Sequence, residues 1–202
     1  MTPSRDPTRC PWGGIENAEY ERYHDEEWGV PHQDSRAHFE KLCLEGFQSG
    51  LSWLTILKKR ENFRRAFAGF DPEKVARFGE KDVARLLADA GIVRHEAKIR
   101  ATIGNARATV ALQERRPLAA FLWGFFDGRP IVNRHANFRD IPSETPLSKQ
   151  ISKALKAEGY RFVGPTTVYA FLQSAGFVND HLVSCHRHGP CARLMREFRL
   201  VE

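Results

Sequence analysis

Three features of this 202-residue sequence predict an all-α fold, a compact bundle of short helices. Apolar residues recur at helical spacing along most of the chain. Asp, Ser and Pro stand where helices would begin, and Gly where they would stop. Only Pro130-Ile131-Val132 reads as a strand. Taken in order, Asp34-Ser35 caps a helix that carries Phe39, Leu42, Cys43 and Phe47. Leu51-Ser52 opens a second, with Leu54, Leu57 and Phe63. Asp71-Pro72 gives an N-cap followed by Pro at the first helical position. That short helix runs through Val75 and Phe78, and Val83, Leu86 and Leu87 continue the pattern to Gly91. Glu96 to Ala111 forms a longer helix with Ile99, Ile103 and Ala106 on one side, and Leu118 to Phe126 a short aromatic one. Arg129 to Thr145 reads as a loop. Leu147 to Glu158 and Pro165 to Ala175 are helices joined by Gly159 to Gly164.

Hydrophobic residues make up 42 % of the chain and charged residues 28 %, a balance that excludes low-complexity disorder, collagen and coiled-coil arrays. A single domain over 1–202 is expected, with 1–8 and 192–202 as peripheral tails and a monomeric state. No apolar run reaches the ~18–20 residues that span a bilayer. The N-terminus lacks an apolar signal core, so no membrane association and a cytoplasmic location are expected. A net charge of +6 points weakly to an anionic partner such as nucleic acid.

The Gly159–Gly164 connection is informative about that partner. Tyr160 and Phe162 alternate with Arg161 and Val163, then Gly164-Pro165 starts the next helix and Thr166 and Thr167 add hydroxyls. A helix N-terminus with unpaired N–H groups suits an anion, and a helix-hairpin-helix element grips a DNA phosphate this way. The same spacing serves equally for a plain turn between two packed helices.

Four cysteines and eight histidines invite a metal site. His181 and Cys185 stand four apart, adjacent on a helical face. A structural zinc needs four ligands, and Cys10 and His24 at the other end of the chain are the candidates to complete it. His186, His188 and Cys191 compete to complete a local site instead. Cys43 falls on an apolar helix face and reads as core.

Trp12, Tyr20, Tyr23, Trp28 and Trp53 cluster in the first quarter of the sequence, around Glu45. A flipped base is held by stacking between such faces and by hydrogen bonds to its edge. Glu45 stands at the margin of the apolar face of Phe39, Leu42 and Cys43, where it could line a pocket or simply be solvated.

Longer stretches carry a resemblance: RCPW (9–12), YERYHDEEWGVP (20–31), CLEGFQSGLSWLTILKKRENFRRAF (43–67), LLADAGIVRHEAKIRATIGNARA (86–108), SKALKAEGYRFVGPTTVYAF (152–171) and GFVNDHLVSC (176–185). Together they resemble the Tag-type 3-methyladenine DNA glycosylase I family, a branch of the helix-hairpin-helix glycosylase superfamily. The resemblance implies a structural Zn2+ on Cys10, His24, His181 and Cys185, joining the N- and C-terminal regions. It implies that Glu45 reads the edge of the excised base while Tyr23 and Trp53 stack on it, with Tyr20 and Trp12 nearby. Leu51, beside Gly50, matches the position that plugs the gap in the duplex, and Gly164, Thr166 and Thr167 match the phosphate-gripping hairpin. Phe47 and the stretch Asn133 to Arg139 depart from the family pattern.

The same resemblance implies a mechanism. Base-excising relatives place a catalytic Asp in a Val-Asp-x-His setting, where this chain reads Val178-Asn179-Asp180-His181. The lyase-type Lys position is Thr166, so a monofunctional hydrolase acting on alkylated double-stranded DNA is expected. Asp180 is expected to serve structure or to support His181. Two other readings are a non-catalytic helix-hairpin-helix protein that binds damaged or bent DNA, and a small zinc-dependent nucleotide hydrolase. The second needs an open metal position, which four protein ligands would close.

Overall fold

The computed structural model describes residues 7–201, so the expectation for the first six residues of the chain lies outside it. Among the described residues the architecture is helical, and no helix is long and apolar enough to cross a membrane. The predicted caps form as read. Asp34 accepts from the backbone N–H groups of Arg36 and Ala37 at the start of α2 (Ser35–Gln48), and Ser52 from that of Thr55 at the start of α3 (Trp53–Ala66). Asp71 does the same for α4 (Pro72–Ala76). Then follow α5 (Glu80–Ala88), α6 (Glu96–Gln113), α7 (Leu118–Trp123, extended by a 3-10 turn), α8 (Pro146–Ala157) and α9 (Pro165–Ser174).

Two helices differ from the sequence reading. A helix at Ala18–Glu26, α1, lies in the acidic segment and buries only Tyr23 and His24, too little apolar surface for a periodic signal. The Asn17 side chain caps it through the N–H groups of Glu19 and Tyr20. At the other end, α10 (His188–Glu197) corrects the expected peripheral tail from residue 192, because Ala192 and Met195 are buried beside Cys191. The strand at Ile131–Val132, β1, pairs in parallel with β2 (Val178–Asn179), Ile131 opposite Val178.

The central helix α2 packs against α3, α6, α7 and α9. Phe39, Leu42 and Phe47 from α2 meet Phe63, Phe67 and Phe70, and Phe47 lies 4.6 Å from the Phe63 ring centre. Burial of each such ring is worth roughly 1.5–3 kcal/mol. Gly176, at φ +74, turns the chain from α9 into β2; a Cβ there would lie 2.2 Å from the Val30 carbonyl. Only glycine satisfies both the backbone angle and that approach. This close contact holds α9 against the segment between α1 and α2.

Candidate active site

A cleft of about 440 Å³ opens where α1, α2, α9 and the segment 138–143 meet. Tyr20 and Tyr23, three apart on α1, face it; so do Glu45 and Gln48, three apart on α2, and Trp53 at the first residue of α3. Trp12 joins them from the N-terminal segment. The rings form a continuous wall: Trp12 to Tyr20 is 5.1 Å between centres, Tyr20 to Tyr23 is 6.3 Å and stacked, and Tyr23 to Trp53 is 5.4 Å. Glu45 and the four aromatic base-binding candidates of the sequence, Trp12, Tyr20, Tyr23 and Trp53, therefore share one cavity. Tyr169 and Gln173, four apart on α9, also line it and gave no sequence signal, since α9 reads simply as an apolar helix.

Electrostatics in the cleft centre on Glu45, which is 4 % exposed. Burial raises its carboxyl from 4.5 to about 7, against the pull of the Lys41 ammonium one turn away. Burial, reinforced by Glu45, lifts the Tyr20 phenol to about 12 and pushes the Tyr23 phenol up as well. Both phenols therefore keep their protons and can donate, and neither can act as a base near neutrality. Lys41, held low by burial, places its Nζ 5.1 Å from the Tyr23 ring centre. The cleft is an acceptor surrounded by aromatic faces, a shape suited to a planar cation.

Thr166 stands on the cleft rim, at the first turn of α9. Gly164 is the N-cap of that helix, with Pro165 following and Thr167 half-buried behind Thr166. Asn105 of α6 clamps the α8–α9 connection: its side chain donates to the Arg161 carbonyl at 3.0 Å and accepts from the Arg161 N–H at 2.7 Å. Gly50, at φ +85, turns the chain between α2 and α3 and leaves Leu51 40 % exposed. Gln48 donates to the Leu51 carbonyl at 2.8 Å and holds that turn. Gly50, Leu51, Gly164 and Thr167 are not on the cleft lining itself. Phe47 is buried in the core and does not line the cleft.

Beneath Trp12, Cys10, His24, His181 and Cys185 form a buried cluster whose donor atoms all lie within 4.8 Å of one another. Tetrahedral zinc, with bonds of about 2.3 Å to sulfur and 2.0–2.1 Å to nitrogen, separates those atoms by about 3.6 Å. Here Cys10 Sγ is 3.7 Å from His181 Nδ1, Cys185 Sγ 3.7 Å from His24 Nε2 and 3.5 Å from His181 Nδ1. The remaining ring nitrogens are occupied in the way metal-ligating histidines require. His24 Nδ1 lies 2.7 Å from Asp25 Oδ1, and His181 Nε2 2.9 Å from the Trp28 carbonyl. The two neighbouring sulfurs act on each other in opposite senses, pushing the Cys10 thiol up and drawing the Cys185 thiol down. The competing residues are engaged elsewhere, His186 beside Asp25 and the Thr8 carbonyl, His188 on the Asn133 carbonyl, Cys191 near the Trp28 carbonyl.

Of the two roles expected for Asp180, structure or support of His181, the contacts are those of the first. Its carboxylate accepts from Tyr169, Gln173 and Asn133. Asn179 is committed to structure: it donates to the His188 carbonyl and accepts from the His181 N–H.

The family model for methyladenine glycosylases matches residues 12–188. The chain belongs to the methyladenine glycosylase family. DNA-3-methyladenine glycosylase 1 of Escherichia coli (strain K12) is 51 % identical over 178 residues, covering 88 % of this chain and 95 % of that one. A crystal structure of 3-methyladenine DNA glycosylase I superposes with a TM-score of 0.86 at 50 % identity, covering 89 % of this chain and 98 % of the other. A second methyladenine glycosylase structure, solved in complex with 3-methyladenine, gives a TM-score of 0.83 at 38 % identity, with 86 % and 94 % covered.

Proposed function

We propose that this chain is a DNA-3-methyladenine glycosylase of base-excision repair, hydrolysing the N-glycosidic bond of 3-methyladenine in alkylated double-stranded DNA without lyase activity. The observation that carries the reading is the buried Glu45 carboxylate set among Trp12, Tyr20, Tyr23 and Trp53. Mere phosphate gripping requires none of those residues. An N3-methylated adenine is cationic in DNA and already a weakened leaving group, so the protein needs little acid catalysis. Its work is to extrude the nucleotide, bind the cation and stabilise the separating charge. Tyr23 and Trp53 stack on the base, contributing a cation–π preference of roughly 1–2 kcal/mol over neutral adenine. Glu45, ionised, receives the base edge and favours positive charge on it as the bond breaks. Thr166, where a lyase would carry Lys, supplies no amine for a Schiff base.

The α8–α9 pair acts as a helix-hairpin-helix element, gripping a backbone phosphate with the N–H groups after Gly164 and the hydroxyls of Thr166 and Thr167. Leu51, raised by the turn at Gly50, fills the gap left by the flipped nucleotide. Cys10, His24, His181 and Cys185 hold one structural Zn2+, a closed site with no open position for substrate. It fixes the N-terminal segment that delivers Trp12 to the cleft. The protein acts as a monomer on chromosomal DNA in the cytoplasm.

The test is incubation of the purified protein with methylated duplex DNA, followed by separation of free bases and of DNA strands. Free 3-methyladenine with strands left uncut except by alkali is expected. DNA binding without base release would establish the non-catalytic reading instead.

A further inference from the structure

Asp180 is a fully buried carboxylate to which the reaction above assigns no task. Its Oδ2 accepts from the Tyr169 hydroxyl at 2.6 Å and from Gln173 Nε2 at 2.7 Å, and its Oδ1 from Asn133 Nδ2 at 2.7 Å. His135 Nε2 lies 3.2 Å from Oδ1. Such a concentration of donors offsets the desolvation of the carboxylate. Two of the donors, Tyr169 and Gln173, lie on the α9 wall of the cleft. The third donor, Asn133, and the adjacent His135 begin the segment that brings Phe138 and Ile141 to the cleft rim. One carboxylate thus fastens two walls of the same cavity.

The network also fixes the direction of an amide. A carboxylate only accepts, so Gln173 must turn its nitrogen to Asp180 and offer its oxygen to any ligand in the cleft. The Tyr169 proton is likewise committed to Asp180, so its hydroxyl donates nothing to the cleft. We propose that Asp180 is a positioning residue that presents the Gln173 amide oxygen to the extruded base, making Gln173 a second reader of the base edge beside Glu45. The inference rests on the cleft being the base-excision site. An adenine-type base carries an amino donor where a guanine-type base carries a carbonyl acceptor. Facing that position, the Gln173 oxygen accepts from the first and repels the second. A group aimed in this way discriminates by the cost of leaving polar atoms unpaired.

The experiment is single-turnover release of 3-methyladenine and 3-methylguanine from methylated duplex DNA at saturating protein. Wild type is compared with Gln173→Ala, Asp180→Asn, the double variant and Glu45→Gln. Gln173→Ala is expected to slow 3-methyladenine release about tenfold, the effect of one hydrogen bond, without slowing 3-methylguanine. Asp180→Asn, whose amide can turn an N–H toward Gln173, is expected to shift the ratio of the two bases in the same direction. The double variant should be no worse than the more affected single one. A merely structural role would slow both bases alike. An unchanged ratio in Gln173→Ala, or additive effects in the double variant, overturns the proposal. Should Asp180→Asn not fold, Asn133→Ala, at the half-buried end of the network, replaces it. A wild-type ratio there, with Gln173→Ala shifted, removes Asp180 from the assignment. Glu45→Gln separates the two levels: full activity in that variant contradicts the excision site itself, whatever Gln173 does.

Discussion

Glu45 is enclosed by rings, with Lys41 as the nearby cation, and burial raises its carboxyl to about 7. An acid that binds its proton more tightly when folded weakens the fold as pH rises from 4.5, its unfolded value, through 7. The loss amounts to about 3 kcal/mol and is complete above pH 7. Glu45→Gln should therefore raise Tm by roughly 6–12 °C at pH 8, leave it near wild type at pH 4, and abolish most base release. Equal melting temperatures at pH 8 would show that the carboxylate is solvated. The sequence made Glu45, Tyr20, Tyr23, Trp53 and Trp12 legible because aromatic residues and one carboxylate crowd a short stretch. It hid Tyr169 and Gln173, whose cleft-facing role depends on how α9 is rotated, and it left the role of Asp180 open between structure and His181, because its partners lie on α9 and beyond β1.

Among the elements, α9 supplies one wall of the cleft, with Thr166 in its first turn on the rim and Tyr169 and Gln173 further along. Its placement depends on Gly176, where an added methyl would collide with the Val30 carbonyl. Gly176→Ala is expected to cost about 4 kcal/mol or more and to leave the protein largely insoluble, read as soluble yield and denaturant midpoint. Asp34→Ala removes only the α2 cap, so a loss of about 1 kcal/mol, or some 2–4 °C in Tm, is expected. The capped and periodic helices were readable because local chemistry fixes their ends. Helix α1 was not, since its residues are mostly polar and its stability comes from Asn17 and from Tyr23 and His24 packing. Helix α10 was hidden for another reason: Cys191 and Met195 stand four apart, but two apolar positions among several Arg and His residues make a weak periodic signal.

At the scale of the whole molecule, the segment from Thr8 to His24 meets the segment from His181 to His186. Cys10 and His24 lie against His181 and Cys185, and the Thr8 carbonyl accepts from the His186 N–H. If one Zn2+ closes this junction, metal analysis gives one zinc per chain, and Cys10→Ser/His181→Ala loses it with a Tm lower by about 10 °C. Zinc retained in that variant would mean that other residues hold it. The net charge of +6 turns out to be a poor guide to this molecule. On α3, Arg60 pairs with Glu27 and Arg64 with Glu40, so part of its basic run is spent inside the fold. The feature that matters is a single carboxylate in an aromatic cleft. The rate of 3-methyladenine release from methylated duplex DNA, followed from pH 5 to 9 in wild type and Glu45→Gln, tests that claim most directly. The account predicts a wild-type rate that climbs through about pH 7 and a low, flat profile in the variant. No release by the wild type at any pH, or an unimpaired variant, would contradict it.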